Sequence, residues 1–393
     1  MRVLADRRPL AVPAFRRWWT ASLVTAIGGS FSVVAVPAQL YTATGTSAAV
    51  GGAAVLTFAG LTAGALGGGV LADRHDRRRV LLAGQSVLAA TCTGLWAQAA
   101  FGGALPYLLV LVLFQGLAFG VISTATGAVL PRLVPSELLA AANGLNSLVR
   151  YGGSILGPVL AGLLLPLTGV ANLYLFDAVA LTAVLWAVFR LPPLYPERRT
   201  DRPAQRVRVS RLVLAVLAVD LAAMVFGMPI ALFPELARHF GDPAGGGLLL
   251  GLFYAAYPAG VFLAGFFGGV FTGTAHPGRM MAGAAIAWGV AVVLLGLASI
   301  PALALLALVV GGAVNFVLST HRNAITQAHV DDEMRGRIQG VLTVVLYGGP
   351  QLANLLHGTA GALVGPRAAI VAGGLLTVTS VVAVRPALVQ RTG

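Results

Sequence analysis

The stretch "GGGVLADRHDRRRV", Gly67 to Val80, places six formally charged residues and a histidine in seven consecutive positions. The rest of the chain has the opposite character: of its 393 residues, 58% are hydrophobic and only 10% are charged. Soluble domains carry roughly 25% charged residues, so this composition is typical of membrane proteins. The cluster is therefore either a plain solvated loop between membrane segments or a sequence with a mechanism of its own.

Twelve apolar runs are long enough to cross about 30 Å of hydrocarbon as helices. Because the runs are continuous and not alternating, they predict helices and argue against the strands of a β-barrel. The predicted spans, numbered from the N-terminus, are 15–41, 47–72, 80–101, 105–131, 137–166, 171–191, 211–236, 246–272, 279–299, 301–327, 336–364 and 368–388. The fold class predicted is an all-α membrane protein with twelve transmembrane helices.

The basic residues predict which side of the membrane each loop faces. All 26 are arginine, and 22 of them fall in tails and loops on one side when the spans are counted in order. The opposite side holds only Arg238 and Arg367. An excess of arginine marks the cytoplasmic side, so both termini and the 73–79 loop are predicted to be cytoplasmic. The net charge of +13 thus reflects topology and contact with anionic lipid, and predicts no nucleic-acid partner.

The chain also divides into two similar halves. The one long polar stretch, 191–211, separates six spans from six, and predicts an N-terminal bundle (1–190), a cytoplasmic linker (191–210) and a C-terminal bundle (211–393). The tripeptide at 151–153, Tyr-Gly-Gly, recurs at 347–349 with an offset of 196, and Arg79 recurs as Arg279 with an offset of 200. Six spans per half give both halves the same orientation, which is a known design of transporters.

The charged stretch resembles the signature loop of the major facilitator superfamily, G-x-L-x-D-R-x-G-R-R/K, between spans 2 and 3. The residues that match and form the candidate gating motif are Gly69, Asp73, Arg74, Arg77 and Arg78, together with Leu71. The resemblance implies two pseudo-symmetric six-helix bundles. It also implies a cytoplasmic latch, in which Gly69 lets helices approach and Asp73 meets arginines and the N-terminus of span 11. The alternative is a loop that only sets topology.

The chain departs from this pattern at two positions. Asp76 stands where the superfamily usually has glycine, and Gly273 stands where the second-half copy would have the acid. The missing acid predicts an asymmetric gate.

Other segments resemble the exporters of this superfamily. In span 5, Gly153, Gly157, Pro158 and Gly162 resemble an antiporter motif, with ordinary small-residue packing as the alternative. Segments 133–148 and 330–341 resemble the drug and siderophore exporter branch, which includes enterobactin and macrolide exporters. Two departures put the usual proton coupling in doubt: this branch often has aspartate at the position of Gly29, and proton-driven drug antiporters often have arginine in span 4 near Val112.

Ionisable residues inside the spans are the coupling candidates, because each is costly in lipid and needs a reason to be there. Asp220 lies about nine residues into span 7, roughly 14 Å from its start, and is the first candidate for a proton carrier. Arg150 in span 5 is the second, as the partner of a carboxylate or of an anionic substrate. For both residues the alternative is a structural hydrogen bond or ion pair. Asp177 in span 6 is interpreted as structural.

Polar residues on spans 10 and 4 are the candidates for lining a substrate cavity. On span 10 they recur at a spacing that places them on one face, and span 4 is its counterpart in the other half. The alternative is hydrogen bonding between helices. The candidates are Gln115, Ser123 and Thr126 on span 4 and Asn315, Ser319, Arg322 and Thr326 on span 10.

The function predicted is secondary active export of a hydrophobic or amphipathic small molecule (a drug, siderophore or natural product) by alternating access with proton antiport. The expected location is a prokaryotic inner membrane, and the expected partners are the bilayer, the substrate and protons. We expect a monomer with no cofactor and no metal, since one cysteine and isolated histidines make no metal set. A proton-coupled importer is the alternative. A membrane-embedded enzyme or a receptor is disfavoured, because no catalytic triad or sensory domain is present.

Overall fold

The computed structural model describes residues 6–126, 129–194, 211–243, 246–270, 276–329 and 332–389, and every regular element in these ranges is helical. The α-helices are α1 (Pro13–Gly28), α2 (Ser32–Thr44), α3 (Ser47–Arg74), α4 (Arg77–Ala100), α5 (Leu105–Thr126), α6 (Leu130–Leu133), α7 (Leu139–Phe189), α8 (Arg211–Phe226), α9 (Phe233–His239), α10 (Leu248–Phe266), α11 (Pro277–Leu297), α12 (Pro301–His329), α13 (Asp332–Val364) and α14 (Pro366–Val389).

The helices account for the predicted spans with three local differences. Over the described residues, ten helical segments are long and apolar enough to cross a membrane. One of them, Ser136–Phe189, contains both span 5 and span 6. The two spans are separated at Gly169, whose backbone leaves the helical region (φ 79°, ψ 165°). Glycine adopts such a left-handed φ without a Cβ clash. Counting α13 for span 11 then gives the twelve predicted segments. The other two differences are that spans 1 and 7 are not continuous: span 1 consists of α1 and α2, and span 7 of α8 and the start of α9.

The described residues form two compact units. The first takes residues within Met1–Ala43, Val55–Thr200 and Gly245–Gly251; the second takes residues within Thr44–Ala54, Asp201–Ala244 and Leu252–Gly393. In the first unit a buried core contains Phe15, Leu81 and Leu181, and it also contains Leu191 and Leu194. The packed part of this unit therefore reaches at least Leu194, which is four residues into the linker that the sequence predicts at 191–210.

The internal repeat is visible as equivalent helix contacts in the two units. In the first, a Cβ on Gly60 of α3 would overlap the carbonyl oxygen of Leu113 on α5. In the second, a Cβ on Gly260 of α10 would overlap the carbonyl oxygen of Val309 on α12. These pairs are related by the same offsets, 200 and 196, that relate the sequences. Small residues allow such close helix packing in membranes, so the repeat preserves a contact as well as a pattern.

Candidate functional site

A buried ion pair joins α8 and α12 within the second unit. Arg322 Nη1 donates to both carboxylate oxygens of Asp220, at 2.9 Å to Oδ1 and 3.1 Å to Oδ2. The Asp220 side chain is fully buried and that of Arg322 is 7% exposed. A charge in such surroundings needs an opposite charge or a proton. The geometry therefore shows what neutralises Asp220 when it is ionised, and it makes Arg322 the group that must adapt when Asp220 is protonated.

The polar stripe of α12 is packed inside the second unit. Asn315, Arg322 and Thr326 are all less than a tenth exposed. Thr326 Oγ1 donates to the Arg322 carbonyl, and the half-buried Ser319 donates to the Phe316 carbonyl. Arg322 thus forms hydrogen bonds between helices, which was the alternative, and its role in a cavity wall stays a prediction. Asn315 Nδ2 is buried and has no hydrogen-bond acceptor among the described residues.

The other polar candidates lie in the first unit. Gln115 and Thr126 on α5 are half-buried and Ser123 is exposed. The Ser123 and Thr126 hydroxyls donate to carbonyls of their own helix, those of Gly120 and Ile122. These residues therefore remain candidates for a cavity wall without further support from their contacts.

Arg150 makes a contact that the sequence did not predict. Its side chain is exposed, and its guanidinium carbon lies 4.9 Å from the centre of the Tyr151 ring, which is a cation–π contact. Among the described residues no carboxylate forms a salt bridge with Arg150, and its role as the partner of a carboxylate or of an anionic substrate stays a prediction. The sequence identified the charged residues but not their partners.

The interruption of span 1 is held by an acid from span 6. Helix α1 ends at Gly28, and α2 begins at Ser32. The first backbone N–H groups of a helix have no partner within it. Here Asp177 accepts hydrogen bonds from the backbone N–H of Phe31 (2.9 Å) and Ser32 (2.7 Å), and also from the Ser32 hydroxyl. Asp177 is fully buried and serves as the cap of α2, which agrees with its structural interpretation.

Two of the span 5 glycines pack against this same interruption. A Cβ on Gly153 would overlap the carbonyl oxygen of Ala26, and a Cβ on Gly157 would overlap the Ser30 hydroxyl. Two low-propensity glycines in a row, at 28 and 29, weaken the helix at this point. The break in span 1 is therefore enclosed by a carboxylate, by a backbone contact at Gly153 that leaves no room for a side chain, and by Gly157 beside the Ser30 hydroxyl.

The remaining two residues of the motif contact the start of span 8. A Cβ on Gly162 would lie 3.1 Å or less from the Gly251 backbone, and the Pro158 carbonyl oxygen is close enough to overlap a Cβ on Gly251. Equivalent contacts occur in the second unit, where Gly358 meets Gly51 and the Asn354 carbonyl takes the place of that of Pro158. The motif thus has a packing role at all four positions, whatever its role in transport.

The 73–79 loop is anchored by a residue that the family pattern does not include. Asp76 is the N-cap of α4: its Oδ1 accepts from the backbone N–H of Arg78 at 3.0 Å and of Leu194 at 2.8 Å. The Arg77 N–H in turn donates to the Leu194 carbonyl at 3.1 Å. Arg78 donates to the Phe189 carbonyl and lies over the Phe189 ring. The loop is therefore bound to the end of span 6 and is not simply solvated.

The predicted latch residues are placed as follows. Asp73 and Arg74 end α3 with exposed side chains, and Arg77 and Arg78 begin α4. A Cβ on Gly69 would meet no described atom within 4 Å, whereas one on Gly68 would lie 2.8 Å from Val121 Cα. The close approach was thus predicted one residue too late. Positions 330–331, before span 11, and Gly273 lie outside the described residues, so the latch and its asymmetry stay predictions.

Comparison with known families identifies this architecture. The transmembrane secretion effector family matches the chain over residues 5–392. The chain belongs to this family. The chain is similar to the enterobactin exporters EntS of Shigella boydii (serotype 18, strain CDC 3083-94 / BS512) and Escherichia coli O81 (strain ED1a). Each is 29% identical over 371 residues, covering 92% of this chain and 88% of the relative. The predictions of a transporter of the exporter branch, and not an enzyme, are confirmed.

Solved structures confirm the major facilitator fold of this chain. A POT family transporter in complex with 5-aminolevulinic acid gives a TM-score of 0.76 at 12% identity, covering 95% of this chain and 96% of that one. A bacterial homologue of the iron transporter ferroportin gives 0.71 at 15% identity, covering 96% and 98%. A D-xylose-proton symporter gives 0.68 at 12% identity, covering 94% and 96%. At these identities the likeness shows the fold alone.

Sequence reasoning missed two functional features of this chain. Asp76 had a usable signal, because an aspartate directly before a helix is a preferred N-cap. The capping of α2 by Asp177 had no signal in the local sequence, since it joins residues 145 positions apart. Only Gly28 and Gly29 hinted that the first span is weak at this point.

Proposed function

We propose that this protein exports an enterobactin-like siderophore or a similar amphipathic small molecule by alternating access, in exchange for protons. The observation that carries proton exchange is the buried Asp220–Arg322 pair, in which a carboxylate within a transmembrane helix has a cationic partner on the neighbouring helix. The enterobactin exporters among the relatives support the direction of transport and the class of substrate.

In this proposal the ion pair is the coupling element. When Asp220 is ionised, Arg322 neutralises it; when Asp220 takes up a proton, the charge on Arg322 loses its counter-ion. An unpaired cation in a buried site is costly, so protonation favours a rearrangement of α8 and α12. In this proposal the rearranged state is the one from which the substrate has left, so proton uptake and substrate binding alternate, as antiport requires.

The direction of transport is tested with the purified protein in proteoliposomes that have an acidic lumen. Enterobactin added outside should accumulate in the lumen of vesicles in which the protein is inserted with its cytoplasmic face outward. Collapsing the pH gradient with a protonophore should stop the accumulation. Accumulation only when the gradient is reversed would identify the importer instead, and accumulation that ignores the gradient would exclude proton coupling.

We further propose that the protein lies in a prokaryotic inner membrane as a monomer with both termini in the cytoplasm. The arginine distribution supports this orientation, since 22 of 26 lie on the side of the termini. Its partners are then the bilayer, the substrate and protons, with no nucleic acid. A cysteine introduced at His75, which is exposed, should react with a membrane-impermeant maleimide only after the cells are permeabilised. Reaction in intact cells would reverse the orientation.

A further inference from the structure

A groove of about 350 Å³ opens on the first unit between α3, α4 and α5. Most of the side chains that line it are apolar, among them Ala83 and Val87 of α4 and Leu117 and Val121 of α5. Two lining residues are polar, His75 and Arg79, and both are exposed. The groove therefore combines an apolar trough with a basic end.

The dimensions of the groove suit a hydrocarbon chain. Arg79, Ala83 and Val87 recur every four residues and so lie along one face of α4. Eight residues of α-helix span roughly 12 Å, which is the distance from the basic end to the far end of the trough. The trough is recessed because α4 and α5 approach closely, with a Cβ on Gly84 coming to 2.9 Å from Ile122.

We propose that this groove binds an anionic phospholipid, with an acyl chain along α4 and the headgroup phosphate at Arg79 and His75. The proposal rests on the orientation proposed above, which puts these two residues at the cytoplasmic leaflet, where anionic lipids are concentrated. Basic recesses between transmembrane helices on that side are suited to phospholipid headgroups. An arginine also binds phosphate through two parallel N–H groups.

Among the arginines of the 73–79 loop, Arg79 is the one that lines the groove. Arg78 is directed to the Phe189 carbonyl and ring. Asp76 accepts from two backbone N–H groups and does not line the groove, and neither does Asp73. Because His75 and Arg79 flank Asp76, a bound lipid would contact the same loop that carries the gating motif. We therefore expect the lipid composition of the membrane to influence the gating motif.

The test measures binding of dioleoyl-phosphatidylglycerol to the purified full-length protein by native mass spectrometry, with dioleoyl-phosphatidylcholine as the neutral comparison. Arg79→Gln should weaken phosphatidylglycerol binding about fivefold, since one arginine near an anionic surface contributes on the order of 1 kcal/mol. Arg279→Gln is the matched control, because Arg279 is the repeat equivalent of Arg79, is exposed and does not line the groove. It should leave binding unchanged.

Filling the trough tests the acyl-chain part of the proposal. Ala83→Trp, or Val87→Trp should the first variant fold poorly, should weaken binding of both lipids at least as much. Equal losses from Arg79→Gln and Arg279→Gln would show charge attraction without a site and would overturn the proposal. So would undiminished binding in the tryptophan variants, or displacement of the lipid by enterobactin, which would make the groove a substrate site. No gradient or transport is involved, so a failure of the proposed function would not produce these results.

Discussion

The Asp220→Asn substitution removes the negative charge of the buried pair and keeps the shape of the side chain. Both carboxylate oxygens accept from the same Arg322 nitrogen, and the two side chains are 0% and 7% exposed. Removing one partner of such a pair leaves a buried charge uncompensated, at a cost of about 3–5 kcal/mol. Asparagine still offers one carbonyl oxygen to Nη1, so we expect the free energy of unfolding to fall by about 3 kcal/mol.

A double-mutant cycle separates the pair from the two single effects. Arg322→Gln alone leaves Asp220 buried and unpaired and should cost about as much, whereas the Asp220→Asn/Arg322→Gln variant carries no charge at all. We therefore expect the double variant to be more stable than the sum of the single losses allows, with a coupling of about 1–3 kcal/mol. Equilibrium unfolding in mixed micelles gives all four values. Losses that simply add would refute the interaction as the structure shows it.

The same four proteins distinguish a coupling role from a structural one. In proteoliposomes Asp220→Asn should abolish export driven by a pH gradient and retain exchange of labelled for unlabelled substrate, because exchange needs no proton to be released. Loss of both activities in a folded variant would assign Asp220 to substrate binding. Retention of gradient-driven export would remove it from the mechanism.

Three further predictions concern the elements around the break in span 1 and the 73–79 loop. Asp177→Ala leaves two backbone N–H groups of α2 without acceptors and should lower the free energy of unfolding by at least 2 kcal/mol, measured by unfolding in micelles; a smaller loss would show that the cap is dispensable. Asp76→Gly, which restores the family pattern, replaces the N-cap at little cost but leaves the buried Leu194 N–H without its acceptor, and should therefore cost about 1–2 kcal/mol. It should also increase proteolysis near Leu194, and equal cleavage of both proteins would contradict the anchoring of the loop. Gly153→Ala should slow export severalfold and lower stability, whereas Gly152→Ala, where an added Cβ meets nothing within 4 Å, should raise stability by about 0.5–1 kcal/mol; identical behaviour of the two would disprove the close contact at Gly153.

The sequence predicts the membrane fold well because long apolar runs and arginine placement act through the bilayer, which is a uniform solvent. The repeat offsets 196 and 200 likewise return as helix contacts at Gly60 and Gly260. The sequence predicts the bounds of helices less well where a span is interrupted within the membrane. The break after Gly28 is tolerated because Asp177 satisfies the freed backbone groups, and that depends on tertiary structure.

For the candidate site, residue types were predictable and partners were not. Asp220 and Arg322 were both conspicuous as polar residues in apolar spans, since lipid makes such residues costly. Their pairing depends on the rotation of α8 against α12, which periodicity alone does not determine. The capping role of Asp76 is the opposite case, because it depends only on local sequence.

Proton movement caused by substrate tests the central claim most directly. Proteoliposomes with an acidic lumen and a trapped pH dye are mixed with enterobactin, and the luminal pH is followed. Our account predicts that enterobactin makes the lumen more alkaline, and that this response is absent in Asp220→Asn but present in Gly152→Ala. Export of enterobactin without any change in luminal pH, or an unaltered response in Asp220→Asn, would contradict it.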